Sequence, residues 1–365
     1  MEKAGYVASA EAPGSGRPEM DPLYMSRCIQ LARLGSGFTA PNPLVGAILV
    51  HRGRIIGEGY HQQFGGPHAE VRCIDSVRPE DLSRIPESTL YVCLEPCAHW
   101  GKTPPCSKLI IEKKIPRVAI GCKDPFPAVD GRGIAQLEEA GIQVQSGVLE
   151  KECLELNRRF FHFHWRHRPY VILKWAESAD GLVARADNSR TRISQELTNR
   201  LVHRWRAEES AILVGTQTAR LDNPRLNLRW STGKDPVRLL IDRQLRLPET
   251  LQLFDRSQRT IVFNAVKNQS GDNLDYVRIE QPGDWLIPIL DHLYQQQLLS
   301  VLVEGGPRLL QTFIDAAAWD EARVIRSGAI SLGEGLAAPR LIGGKLQSRE
   351  RMGEDEIFYF RPDLP

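Results

Sequence analysis

With 365 residues the chain is too long for one ordinary core and fits two domains. Hydrophobic residues make up 42% and charged residues 25%, which excludes a disordered chain, and a formal net charge of +2 excludes the broad basic footprint of a nucleic-acid or anionic-membrane binder. Seven cysteines, with no secretory start and no apolar run of membrane-spanning length, read as reduced thiols or metal ligands in a cytoplasmic protein.

Residues 1–19 are small, polar and rich in Gly and Pro, and read as a flexible tail. Asp21-Pro22 is a helix start, and Tyr24, Cys28, Leu31 and Ala32 share one face before Gly35 ends the helix. Leu44–Val50 and Arg54–Tyr60 read as two strands around a turn at Arg52-Gly53. A helix over His68–Val77, a buried strand over Leu90–Leu94 and a helix after Pro104-Pro105 follow. Val118–Gly121 is another strand, then a turn at Gly131 to Gly133 opens a helix to Ala140, and Glu150–Phe163 is expected as one helix leaving this unit. The basic, aromatic stretch Arg158–Arg168 is read as an amphipathic linker with aromatics packed between domains, in preference to a nucleic-acid patch. From Pro169 a second unit begins, with strands at Tyr170–Ala176, Ala211–Gly215, Val237–Asp242, Thr260–Asn264 and Val301–Glu304 and a capped helix over Ser194–Glu208. Strands alternating with helices give the α/β class.

The chemistry-bearing pattern is His68-Ala69-Glu70, then Pro96-Cys97, then Cys106. Zinc prefers four-coordinate geometry, so one imidazole and two thiolates leave a position for water, as a catalytic site requires. Such water ionises near neutral pH. Glu70, two residues from His68, is then the proton carrier between that water and a departing amine. H-x-E with paired cysteines is the zinc-deaminase signature, stretched here because eight residues separate Cys97 from Cys106.

Pro41-Asn42-Pro43 with Val45-Gly46, GEGYH, PHAE, LEPCAHWGKTPPC and KDP resemble the bifunctional deaminase/reductase family of riboflavin biosynthesis. The resemblance runs from about Met20 to near the C-terminus. Beyond the tail at 1–19, it implies a zinc deaminase domain at 20–165 and an NADPH-dependent reductase domain at 166–365. The first would have a three-layer cytidine-deaminase-like fold. Its substrate would be a diaminopyrimidinone carrying a ribosylamino 5-phosphate, from which ammonia is released. By position in the family's motifs, Asn42, His99 and Lys102 would touch that substrate.

The second half alone offers fragments. Val301 to Pro307 is a strand, a glycine pair and a helix start, which suits either a dinucleotide phosphate or a plain tight turn. LKWAESADG, VGTQTARLDNPRLNLR and VLVEGGPRLLQTFID resemble the reductase half of the same family, with a dihydrofolate-reductase-like fold. That resemblance puts Thr218, Asp222, Gly305 and Gly306 against NADPH, and Arg206, Leu226, Arg229 and Glu304 against substrate. Lys174 and Asp222 would flank the reacting ribose, where the ribosylamino group becomes ribitylamino. The chain departs from the family at Leu182, Arg190 and Arg192. These departures leave a second reading, a monofunctional deaminase with a C-terminal binding or assembly domain. Taken together, the sequence predicts a phosphorylated pyrimidine as partner, zinc and NADPH as cofactors, self-association, and neither nucleic acid nor membrane as a target.

Overall fold

Local sequence rules place most of the elements that carry the first sheet. Asp21 caps the opening helix α1 (Pro22–Arg33) by accepting from Leu23 N, with Pro22 at the first helical position. Strands β1 (Gly46–His51) and β2 (Arg54–Tyr60) pair antiparallel across Arg52 and Gly53, both at positive φ, as a tight hairpin turn demands. The rest of this unit runs α2 (Ala69–Asp75), β3 (Thr89–Leu94), α3 (Cys106–Glu112), β4 (Arg117–Cys122), α4 (Arg132–Glu139), β5 (Gln143–Ser146) and α5 (Glu150–Leu156). The computed structural model describes residues 20–100, 104–126, 129–187, 189, 191–280 and 283–363. The predicted tail at 1–19, Lys102 and Arg190 lie outside the described residues.

The five strands lie in the order β2-β1-β3-β4-β5, antiparallel at the β2 side and parallel from β3 to β5. β1 and β3 are buried along their whole length, so helices must cover both faces. One face carries α1 and α5, through Met25, Cys28, Ile29 and Cys153; the other carries α2, α3 and α4, through Cys73, Ile74, Ile110 and Leu137. The result is three layers.

The single helix expected over Glu150–Phe163 is two. α5 ends at Leu156 and α6 covers Arg158–Arg166. The break falls on Asn157, whose buried side chain accepts from Leu44 N at 2.8 Å and donates to Leu44 O at 2.8 Å. A buried amide that satisfies both polar groups of a strand-leading residue outweighs continuity of a helix. Phe161 of α6 packs into the first core, while Phe160 and Phe163 pack with Leu299 and Tyr294 of the second unit. The aromatic stretch thus lies between the two sheets.

The second unit runs β6 (Tyr170–Glu177), β7 (Leu182–Arg185), α7 (Glu196–Glu208), β8 (Ala211–Gly215), α8 (Thr216–Asp222), β9 (Val237–Ile241), β10 (Thr260–Asn264), β11 (Leu274–Arg278) and α9 (Leu286–Gln295), then β12 (Ser300–Val303), α10 (Pro307–Asp315), β13 (Glu321–Ser327), β14 (Gly335–Ala337), β15 (Gly344–Met352) and β16 (Asp355–Pro362). Nine strands form one sheet in the order β11-β10-β9-β8-β12-β6-β13-β16-β15, with β16 and β15 antiparallel at the end; β7 and β14 pair separately. The chain leaves β8 toward β9 on one side and leaves β12 toward β13 on the other. The crevice between β8 and β12 is therefore a topological switch point, where open α/β sheets take ligands. The cap expected for α7 from its own residues comes instead from Asp355: its Oδ2 accepts from Gln195 N at 2.8 Å and Thr198 Oγ1 at 2.6 Å.

Replacing Asn157 with Ala is expected to lower the unfolding free energy by about 2–3 kcal/mol, because two buried backbone groups of Leu44 lose their partner. Urea denaturation followed by circular dichroism checks this; unchanged stability counts against that account of the helix break.

Candidate active site

The C-terminal edge of the first sheet gathers the predicted metal pattern. β3 is fully buried and ends at Leu94, so Glu95-Pro96-Cys97 leaves the sheet in a fixed direction. Glu95 is buried and its carboxylate accepts backbone N–H bonds from Asp124 (3.2 Å), Gly131 (3.0 Å), Gly133 (2.9 Å) and Ile134 (3.3 Å). Gly133 must be glycine: a Cβ there would sit 2.0 Å from Pro96 O. This knot holds the residue next to Cys97 without touching a ligand.

His68 is the residue before α2, and Cys106 is the first residue of α3. His68 Nδ1 lies 3.5 Å from Cys97 Sγ and 3.4 Å from Cys106 Sγ, and the three ligating atoms are all within 4.8 Å of one another. Among the described residues, no other group of three or more His, Cys, Asp or Glu side chains converges in this way. The first N–H of α3 donates to Cys97 Sγ at 3.3 Å. The His68 imidazole is pushed up to about 9, first by its hydrogen bond with Cys97. Cys97 is pulled down to about 4, first by the Cys106 side chain and then by His68 and the Cys106 N–H. Cys106 moves up, because the neighbouring thiolate holds its proton. A pocket that favours a thiolate and brings two sulfurs and an imidazole nitrogen to one point matches the donor set of zinc.

Glu70, in the first turn of α2, is buried beside the triangle, and burial pushes its carboxyl up. Asn42 Nδ2 lies 3.0 Å from His61 Nε2, and His61 Nδ1 faces Pro67 O at 3.1 Å. The carbonyl accepts from Nδ1–H, so Nε2 takes the Asn42 N–H and the amide is fixed in one orientation. His99 is exposed at the rim. The structure thus brings His68, Glu70, Cys97 and Cys106 together. It adds His61 and Glu95, which stand in the motifs GEGYH and LEPC but whose roles depend on partners far away in the chain.

In the second unit a separate cluster forms beside the β8–β12 crevice. Glu304 follows β12 and Lys174 lies on the adjoining β6, with Nζ 3.8 Å from Glu304 Oε2. Arg206 of α7 grips the same carboxylate with two hydrogen bonds of 2.8 Å, from Nε and Nη2. Its expected service to a phosphate therefore falls to the N–H groups left over, two on Nη1 and one on Nη2. Burial pushes Glu304 up, but Arg206 and Lys174 overcome it and hold the carboxyl down at about 2. Burial lowers Lys174. His203, one turn before Arg206, joins the cluster unforeseen: it is buried, Nδ1 has no hydrogen-bond partner, and Nε2 lies 3.3 Å from Arg229 Nη2. Burial first, and then the nearby arginines, lower it to about 4, so it is neutral.

The remaining expectations divide. Thr218 Oγ1 lies 3.5 Å from the point a Cβ on Gly306 would occupy, so the β8–α8 and β12–α10 turns face each other across the crevice. Gly305 packs on Leu309, which a Cβ would strike at 2.5 Å. Leu226 turns its side chain into the core with Leu240 and Leu253. Asp222 ends α8 at the surface, and Arg229 is exposed with its guanidinium 5.2 Å from the Trp230 ring centre.

Comparison with known proteins agrees with both halves. Residues 18–122 match the cytidine and deoxycytidylate deaminase zinc-binding region, and residues 169–364 match the RibD C-terminal domain. Riboflavin biosynthesis protein RibD of Aquifex aeolicus is 37% identical over 94% of this chain and 99% of its own length. The Escherichia coli protein of that name is 33% identical over 93% of this chain and 95% of its own. The solved diaminohydroxyphosphoribosylaminopyrimidine deaminase/5-amino-6-(5-phosphoribosylamino)uracil reductase of Thermotoga maritima superposes with a TM-score of 0.86, at 36% identity, covering 93% of this chain and 98% of that one. Acinetobacter baumannii RibD gives a TM-score of 0.85 at 30% identity, covering 94% and 99%. A zinc-deaminase region followed by a reductase domain, matched along nearly its whole length, means that the chain belongs to the RibD family of riboflavin biosynthesis proteins.

Proposed function

We propose that residues 20–165 deaminate and residues 166–365 reduce, in that order, on one phosphorylated pyrimidine. The chain is a bifunctional riboflavin-pathway enzyme, a zinc-dependent deaminase and an NADPH-dependent reductase, rather than a monofunctional deaminase. The observation that carries the first activity is the triangle of His68 Nδ1, Cys97 Sγ and Cys106 Sγ with the buried Glu70 beside it.

In the first reaction a ring carbon bearing an amine exchanges it for oxygen: water adds, the C–N bond breaks and ammonia leaves. Zinc, when bound to the three ligands, supplies the Lewis acidity that makes water nucleophilic near neutral pH. Glu70 takes the proton from the attacking water and hands it to the departing amine, a task suited to a carboxyl raised by burial. Asn42, its amide set by His61, bonds the pyrimidine edge; His99 and Lys102 complete the substrate side.

The second reaction opens the ribosylamino sugar to an imine and reduces its carbon to the ribitylamino chain. NADPH, when bound, is the reductant. The turns carrying Thr218, Gly305 and Gly306 supply backbone at the switch-point crevice, and Asp222, the last residue of α8, is assigned to the same cofactor. Lys174, oriented by Glu304, gives a proton to the sugar oxygen as the ring opens; Arg229, the backbone of Leu226 and the Arg206 N–H groups not used by Glu304 serve the phosphate end. His203 holds Arg229 in place.

Among the described residues no helix is long and apolar enough to cross a membrane. All seven cysteines are free thiols, which supports work in a reducing cytoplasm. Self-association is supported by β15, a nine-residue strand left exposed at the end of the large sheet.

Two variants test the assignment. Glu70→Gln is expected to cut ammonia release by about 10²–10⁴ while metal analysis still finds zinc bound; loss of zinc would make Glu70 structural instead. Lys174→Met is expected to cut NADPH consumption on the deaminated substrate by about a hundredfold or more and to leave ammonia release alone. An unchanged reductase rate would remove Lys174 from the reacting centre.

A further inference from the structure

The two central parallel strands of the first sheet end side by side, with Leu94 opposite Cys122. The chain leaving β3 carries Cys97 and His99; the chain leaving β4 carries Asp124 and Phe126. Glu95 staples them, since its carboxylate accepts from Asp124 N and from the start of α4. Asp124 in turn accepts from Phe126 N at 2.8 Å, which fixes that residue's backbone. Phe126 therefore stands beside His99, ring centres 6.1 Å apart, and His164 of α6 meets it edge-on at 5.5 Å. His164 packs 4.5 Å from Phe160 and 5.5 Å from Phe163, and those rings rest on Leu299 and Tyr294 of the second unit. A strip of rings thus runs from two residues beyond a metal ligand, along α6, to the reductase half. Phe126 is still 38% exposed although two rings meet it, and His99 is exposed as well.

We propose that Phe126 and His164 form the outer wall of the deaminase pocket, with Phe126 touching the sugar-bearing flank of the substrate and His164 positioning Phe126. The second unit, by seating α6, then sets the affinity of the first site. The proposal rests on the deaminase reading above. With the pyrimidine ring inside against Asn42 and Glu70, its ribosylamino group must lie at the mouth, where an exposed ring offers an apolar face to sugar C–H groups. That contact is the same in ground and transition states, so it governs KM and not kcat. His164 acts only through Phe126, so removing both should cost no more than removing Phe126.

Steady-state ammonia release by the full chain tests this. Phe126→Ala is expected to raise KM about five- to tenfold and His164→Ala about threefold, with kcat held within about twofold. The double variant should match Phe126→Ala, while Phe126→Tyr and His164→Phe, which keep a ring, should return KM to near the wild-type value. Zinc content and NADPH consumption on the deaminated substrate should stay unchanged, which shows each variant to be folded. A fall in kcat at constant KM, an additive double variant, or His164→Phe as impaired as His164→Ala would overturn the proposal. Wild-type protein that releases no ammonia would overturn the deaminase reading itself, before any variant is compared.

Discussion

Two thiols and an imidazole brought within 4.8 Å of one another are costly to bury without a cation, and much of the first unit is arranged to hold them there. Each donor comes from a different element. His68 precedes α2, Cys97 follows β3 and Cys106 opens α3. The two helices pack on one face of the sheet while the fully buried β3 aims the third ligand between them. The Glu95 knot then fixes the exit of β3 against α4. A pocket of this kind suits a zinc ion with Glu70 beside it.

The second site rests on a different economy. Glu304 is shared by Arg206 and Lys174 in a buried triad, and breaking such a group by removing one partner is destabilising even where the intact group adds little net stability. Its value is geometric: it fixes an ammonium beside the crevice at which the strand order reverses. The two halves are joined by more than a tether. Arg159 of α6 bonds Glu209 at the end of α7, Arg158 reaches Glu321 at 3.3 Å, and Arg323 lies 2.6 Å from Glu321. The helix bearing Phe160, Phe163 and His164 is thus held by charges as well as by apolar contacts. That places a reductase-half restraint within two ring contacts of the deaminase rim.

What could be read from the chain followed the local signals. The Asp21 cap, the Arg52-Gly53 turn and the apolar runs of β3 and β8 rest on residues adjacent in sequence, and they stand in the structure as expected. The metal triangle was legible because zinc chemistry restricts residue type so strongly. The break at Asn157 was not, since its cause is Leu44, just ahead of β1 and 113 positions away. The hairpin of β15 and β16 escaped notice for another reason: β15 is GKLQSRERM, exposed along most of its length, with no apolar alternation to mark a strand. The cap of α7 by Asp355, the His61–Asn42 bond and the place of His203 likewise belong to tertiary contacts. In the reductase half, resemblance supplied names for residues, but only the geometry shows Glu304 gripped by Arg206 and Leu226 turned into the core.

One chain holds both sites, so both steps should run in order on one substrate. The direct measurement gives purified wild-type protein the diaminopyrimidine ribosylamino phosphate together with NADPH, and counts ammonia released and NADPH oxidised in the same vessel. Ammonia is expected first, and about one NADPH is then consumed for each ammonia, as the two half-reactions require. Ammonia without NADPH oxidation, or NADPH oxidised on the aminated substrate before ammonia appears, would contradict it.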